Sequence, residues 1–255
     1  LQEFKILPVM KALCIGVGAL LLFSFTSLKT TSSISAPTAS IPHSIENVNT
    51  GVSLADSARF DLLYDNLDLQ GLSLSREAFH KAVLGFLSLQ ITGVIRNADV
   101  LSIVDFSLPS SQKRLFVIDM LNGRLLFNTL VAHGRNSGTL MATRFSNRIN
   151  SYMSSLGFYL TGDAFIGAHG YSLQLEGLEP GWNDHASSRR IIMHPADYVS
   201  EEHIQECGYL GRSEGCPAIP ETLNQPIIDE IKGGSCLFLY APNKRFTHRG
   251  ARFSS

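Results

Sequence analysis

From Val100 onward, the apolar residues of this chain come in short runs rich in β-branched and aromatic side chains, and helical periodicity is weak. Val100 to Phe106 ends at Pro109-Ser110-Ser111. Arg114 to Met120 and Leu125 to Ala132 flank Asn122-Gly123, a dipeptide suited to the positive φ angles of a tight hairpin. Gly157 to Gly162, Tyr171 to Leu175, Arg190 to His194 and Ser235 to Tyr240 read as further strands. Short strands joined by Gly-rich and Asn-rich turns predict a largely antiparallel sandwich or barrel rather than βαβ units. In such a fold the loops carry function and the strands hold them in place.

Ahead of these strands the period is helical. Phe60, Leu63 and Leu67 recur at helix spacing, with Asp56 or Ser57 available as a cap. A second helix is expected from about Ser75 to Gln90, with Phe79, Val83, Phe86, Leu87 and Gln90 on one face. Ser75 caps it, and Glu77 sits in the first turn, where the helix dipole favours an anion. The fold class is therefore mainly β with some α, a β-sandwich preceded by a short helical segment.

At the amino end, Lys5 and Lys11 precede the uncharged apolar run Ala12 to Leu28, which Lys29 closes. That pattern reads as a signal peptide or membrane anchor over 1–29, because the run is unbroken rather than periodic as in a buried core helix. The basic flank favours the inside, so the remainder faces outward. Cys14 lies early in the run and stays with it. A Ser/Thr/Pro-rich linker follows over 30–53, too poor in apolar surface to offset the entropy of ordering. The expected organisation continues with a helical segment over 54–97, a largely β domain over 98–245 and a tail over 246–255. A net charge of −1 with no basic run argues against nucleic acid as a partner.

Chemistry concentrates in Arg212-Ser213-Glu214-Gly215-Cys216-Pro217-Ala218-Ile219-Pro220, too rich in Gly and Pro for an element interior. Upstream, the apolar run Ile191-Ile192-Met193 ends on His194. A thiol needs a base to become a thiolate, and the base need only be close in space. Cys216 with His194 is a plausible acyl-transfer pair, and the amides of Gly215 and Cys216 are candidate donors to a tetrahedral oxyanion. Cys216 also has two structural readings. One is a half-cystine. The other is a zinc ligand with His194, His203 and Cys207, although no Cys-x-x-Cys pair is present. Three cysteines beyond the apolar start leave one over in an oxidising compartment, so Cys207 and Cys236 are the pair that would leave Cys216 free. All three reduced, with Cys236 a buried hydrophobe, is the alternative.

These residues resemble the murein L,D-transpeptidase catalytic domain family of the YkuD type, over about Ser53 to Ala241. The pattern is a histidine at a strand end, His194, followed by Ser213-Glu214-Gly215-Cys216. Further likeness lies in Leu115-Phe116-Val117-Ile118-Asp119, in Phe127 to Gly134 and in His169-Gly170-Tyr171-Ser172-Leu173. Where the family commonly has Gly after the base histidine, this chain has Pro195, which lacks an amide hydrogen but keeps the carbonyl thought to orient the ring.

The resemblance implies an L,D-transpeptidase-like β-sandwich and a cysteine acyl transferase acting on peptidoglycan stem peptides. Cys216 is the implied nucleophile, His194 the general base and acid, and Gly215 an oxyanion amide. The product is an L,D cross-link formed through a thioester; with water as acceptor the same site is an L,D-carboxypeptidase. His169 and Tyr171 line the substrate groove, and Arg212 grips a stem carboxylate or bonds a carbonyl. No metal or cofactor is implied, and the location is the periplasm or cell envelope. A wall-binding module without turnover and a different cysteine hydrolase are the competing classes. A papain-like enzyme, however, would carry its nucleophile early, in Cys-Gly-x-Cys-Trp surroundings. His133 reads as wall or packing, and His43, His80, His185, His203 and His248 as surface or packing residues. Ser213 is expected to bond within its loop.

Overall fold

The computed structural model describes residues 54–242. The signal or anchor expected over 1–29, the linker over 30–53 and the tail over 246–255 lie outside them, as do Cys14, His43 and His248. Helices α1 (Leu54–Asn66) and α2 (Arg76–Ile91) precede strands β1 (Val100–Asp105), β2 (Leu115–Asp119) and β3 (Arg124–Thr129). The long hairpin β4 (Gly157–Gly167) and β5 (Gly170–Gly177) leads to β6 (Ile192–Pro195), α3 (Glu201–Cys207) and β7 (Ala218–Ile219). Helix α4 (Glu221–Ile231) and strand β8 (Cys236–Tyr240) complete the described residues.

The eight strands run in the order β3-β2-β1-β8-β4-β5-β6-β7. Most neighbours are antiparallel, as the short turns predict, but β1 pairs with β8 in parallel and β6 with β7 in parallel. The first pair joins segments far apart in sequence and the second crosses over through α3, a βαβ connection not expected from the sequence, so no tight turn announces either. Every residue of β1, β2 and β8 is buried, and their apolar runs are continuous rather than alternating for that reason.

Helix α2 packs on β1 and β8. Ser75 Oγ accepts the Ala78 amide at 3.0 Å and so caps it, with Glu77 in the first turn. Ala78, Phe79, Ala82, Val83, Gly85, Phe86 and Leu89 form its buried face. Gln90, expected there, points to solvent, and Leu89 takes its place. A Cβ at Gly85 would overlap the Phe158 ring, so only glycine lets the helix approach β4 this closely. Phe158 stacks in turn on Phe238 of β8, with centroids 4.2 Å apart. Residues of α1, α2 and the sheet share one hydrophobic core. The change at 97/98 is thus one of secondary structure and not of core.

Helices α3 and α4 and strand β7 are absent from the sequence-based expectation. In α4 the signal was present: Pro220 and Glu221 open a segment whose Ile227, Ile228 and Ile231 are buried at helical spacing.

Candidate active site

Strand β6 carries His194 on the end of a buried apolar run, and parallel pairing with β7 sets His194 beside Ala218 and Pro195 beside Ile219. The same register, carried back along the chain, brings Cys216 next to Ile192, whose amide bonds to the sulfur. The thiol donates to the Arg190 carbonyl at 3.8 Å. No hydrogen bond joins the sulfur to the His194 ring among the described residues; the register sets Cys216 level with Ile192, two residues before His194. Catalytic hydrogen bonds are often long or misaligned before substrate binds.

His194 is 4% exposed, and its Nδ1 lies 2.8 Å from the Pro195 carbonyl oxygen. A carbonyl only accepts, so Nδ1 carries the hydrogen and the Nε2 lone pair is left for a proton. Proline at 195 therefore still offers a carbonyl to the ring. Burial lowers the His194 pKa, opposed by the Pro195 carbonyl and aided by the charge of His169. Burial likewise raises the Cys216 thiol, against the Ile192 amide and Arg189. Both directions favour uncharged partners: a thiol and a neutral imidazole.

The loop before Cys216 is tied from three sides. Ser213 Oγ accepts the Gly215 amide at 3.1 Å and donates to the Cys216 carbonyl at 2.6 Å, closing a ring within the loop as expected. The Ser213 amide donates to the His133 carbonyl, the Arg135 amide to the Ser213 carbonyl, and Ser154 Oγ to the Gly215 carbonyl. Gly215 has φ 128°, and a Cβ there would lie 2.7 Å from the Met153 carbonyl oxygen. The Gly215 amide, expected as an oxyanion donor, is thus committed to Ser213 in the resting loop. The amide of Cys216 itself has no partner among the described residues.

His169, in the β4–β5 turn, is exposed and stacks on His194 with centroids 4.3 Å apart. A cavity of about 1000 Å3 is bordered by His169, Gln174, Glu176, Arg190 and Ile192. Gln174 pairs with Ile192, so it shares the face of the sheet that carries His194 two residues on. Arg212 is exposed and donates to the Gly138 carbonyl at 3.4 Å, the structural bond weighed against a substrate contact. Tyr171, expected to line the groove, donates its hydroxyl to Asp229 at 2.7 Å and accepts from Lys232. His133 is fully buried, as packing requires. Its Nδ1 accepts from Arg114 at 2.8 Å and its Nε2 donates to the Gly138 carbonyl. Burial brings its pKa down to about 4.

Cys207 is exposed on α3, Cys236 is buried in β8 as a hydrophobe, and both are unpaired. The disulfide between them is not formed in this structure. His194, His203, Cys207 and Cys216 do not converge, since no group of three metal-ligating side chains forms among the described residues. Arg189, which sequence reasoning missed, is the unforeseen neighbour of the thiol: a Cβ on Gly215 would lie 3.0 Å from its Nη2. Nothing short of the tertiary fold marks it out from Arg190.

No helix of the described residues is long and apolar enough to cross a membrane. No curated protein matches the chain. Among solved structures, an L,D-transpeptidase from Mycobacterium smegmatis aligns at 13% identity and TM-score 0.35, over 56% of this chain and 59% of that one. The helical cell shape determining protein Pgp2 from Campylobacter jejuni aligns at 15% identity and TM-score 0.36, over 57% of this chain and 49% of that one. The chain spans about half to three fifths of those proteins. The profile of the L,D-transpeptidase catalytic domain family matches residues 70–240, more than half of the 255-residue chain. The chain belongs to that family.

Proposed function

We propose that this L,D-transpeptidase family member cuts and rejoins peptidoglycan stem peptides, with Cys216 as nucleophile and His194 as base. The observation that carries the reading is the Nδ1 bond to the Pro195 carbonyl, which leaves Nε2 of a buried imidazole unprotonated beside the strand that leads from Cys216.

Rotation of the Cys216 side chain turns its S–H from the Arg190 carbonyl to His194 Nε2. The sulfur then attacks the carbonyl carbon of an L-configured centre as its proton passes to the imidazole. The amide of Cys216 donates to the oxyanion, an interaction whose loss typically costs about 3–4 kcal/mol of barrier. Gly215 shapes the loop that aims this amide. Collapse breaks the C–N bond, and the departing terminal D-alanine takes the proton from His194. The amine of a second stem, deprotonated by the same imidazole, opens the thioester, forms the L,D cross-link and returns the thiol. His169 and Arg212 border the bound stem. The reading places the protein in the periplasm or cell envelope.

Product analysis on disaccharide tetrapeptide tests it, with wild type, Cys216→Ala and His194→Ala side by side. Cross-linked dimer from wild type and none from Cys216→Ala is the expected result. Tripeptide without dimer identifies water as the acceptor, and binding without either product identifies a wall-binding module. In parallel, mass spectrometry should find a carbapenem adduct on Cys216. An adduct that survives Cys216→Ala places the nucleophile elsewhere.

A further inference from the structure

The segment leading into β6 sets a guanidinium against the Gly215-Cys216 loop. Arg189 is half-buried. Its Nη1 donates to the Ser146 carbonyl at 2.9 Å and to Ser155 Oγ at 3.0 Å; its Nη2 donates to the Met153 carbonyl at 2.5 Å and to Ser151 Oγ at 3.3 Å. All four acceptors are neutral, and no carboxylate pairs with Arg189 among the described residues. A cation withdrawn from water without a counter-ion is expensive to keep, so its surroundings matter.

Those surroundings are the nucleophile loop. The Nη2 atom would stand 3.0 Å from a Cβ on Gly215, and the carbonyl of the very next residue, Arg190, accepts the Cys216 thiol. Arg189 favours the thiolate against burial, and Cys216 in turn favours the charged guanidinium. The other groups facing the sulfur do not supply this. Glu214 acts in the opposite sense and is exposed, paired with Arg135 at 3.4 Å. Burial holds the Tyr159 and Tyr198 phenols neutral, the latter pushed up to about 12. Burial also keeps His194 uncharged until it takes the thiol proton.

We propose that Arg189 is a positioning residue whose fixed cation is the counter-charge of the Cys216 thiolate. The inference rests on Cys216 being the nucleophile. As the S–H bond breaks, the proton goes to His194 Nε2 and the negative charge appears on sulfur beside the guanidinium, which gives up no proton. Four hydrogen bonds hold that cation before the charge develops, so little reorganisation is needed. The same bonds clamp residues 146–155 against the loop, and a purely mechanical clamp is the rival role.

Iodoacetamide alkylation against pH separates the two, read on the Cys216 peptide by mass spectrometry because Cys207 is exposed as well. Wild type is compared with Arg189→Lys, which keeps the charge, and Arg189→Met, which keeps the bulk. The methionine variant should alkylate about tenfold more slowly at neutral pH, with its midpoint moved upward, and lysine should restore most of the rate. Equal midpoints in Arg189→Met and wild type would overturn the proposal, whatever happens to turnover. Where Arg189→Met does not fold, Arg189→Gln takes its place; failure of both to fold assigns Arg189 to the clamp and overturns the proposal too. Muropeptide turnover is measured separately. A shifted midpoint in a protein without turnover removes the transpeptidase reading and leaves the effect of Arg189 on sulfur standing.

Discussion

His169 lies nearly flat against His194, with ring centroids 4.3 Å apart and planes inclined by 24°. The outer ring covers the inner one, and a charge on it opposes protonation of its neighbour. Burial and His169 both lower the His194 pKa, which keeps the imidazole unprotonated into mildly acidic solution.

Replacing His169 with Ala removes both influences at once, and they have the same sign. The His194 pKa should rise, and the acid limb of the kcat/KM profile should move to higher pH. Rate profiles, with the imidazole followed by NMR, check this. A limb that stays in place or moves down would detach the stack from the chemistry.

Ser213→Ala would leave the Gly215 amide and the Cys216 carbonyl without their shared partner. Each orphaned buried group costs about 1–3 kcal/mol. Turnover should fall at least about tenfold as the loop loses its shape, with a lower melting temperature. Ser213→Thr, which keeps the hydroxyl, should recover most of both.

Gly215→Ala combines a left-handed φ of 128° with a Cβ 2.7 Å from a backbone oxygen. A loss of about 2–4 kcal/mol of stability is expected, and carbapenem acylation of Cys216 should slow about a hundredfold or more. Calorimetry and time-resolved mass spectrometry measure the two effects; wild-type acylation in this variant would mean the loop is free to rearrange.

Glu179 is buried, accepts the Phe158 amide at 3.3 Å, and has its pKa pushed up to about 7 by burial. A raised folded pKa means a contribution fully present below about 4.5 and lost as pH climbs through about 7. Glu179→Gln keeps an acceptor and cannot ionise. Relative to wild type, it should gain on the order of 2–3 kcal/mol between pH 5 and pH 8. Urea unfolding at the two pH values reads the difference, and a pH-independent gap would contradict the buried-carboxyl account.

Arg212→Ala should raise KM about tenfold with little change in kcat, if the exposed guanidinium holds a stem carboxylate equally in ground and transition states. Steady-state kinetics on tetrapeptide decide it; an unchanged KM returns Arg212 to its bond with the Gly138 carbonyl.

Much of the fold was legible because its signals are local. The Ser75 cap, the apolar face of α2 and most strands follow from spacing over a few residues. The Ser-x-Gly-Cys loop and the histidine at a strand end were equally plain. What escaped were α3, α4, β7 and occupied groups. Strand β7 spans Ala218 and Ile219 alone and exists through pairing with β6. The Gly215 amide looked available in sequence, yet it has a partner that only the folded loop supplies.

Residue chemistry and backbone permission belong to the sequence: a thiol at 216, an imidazole at 194, a residue without Cβ at 215. Charge state and direction belong to the tertiary structure. Which nitrogen of His194 carries hydrogen is decided by the Pro195 carbonyl, and how readily Cys216 ionises by desolvation and by Arg189. Desolvation and Coulomb interactions act through space between segments far apart in the chain, and spacing along a sequence holds no record of them.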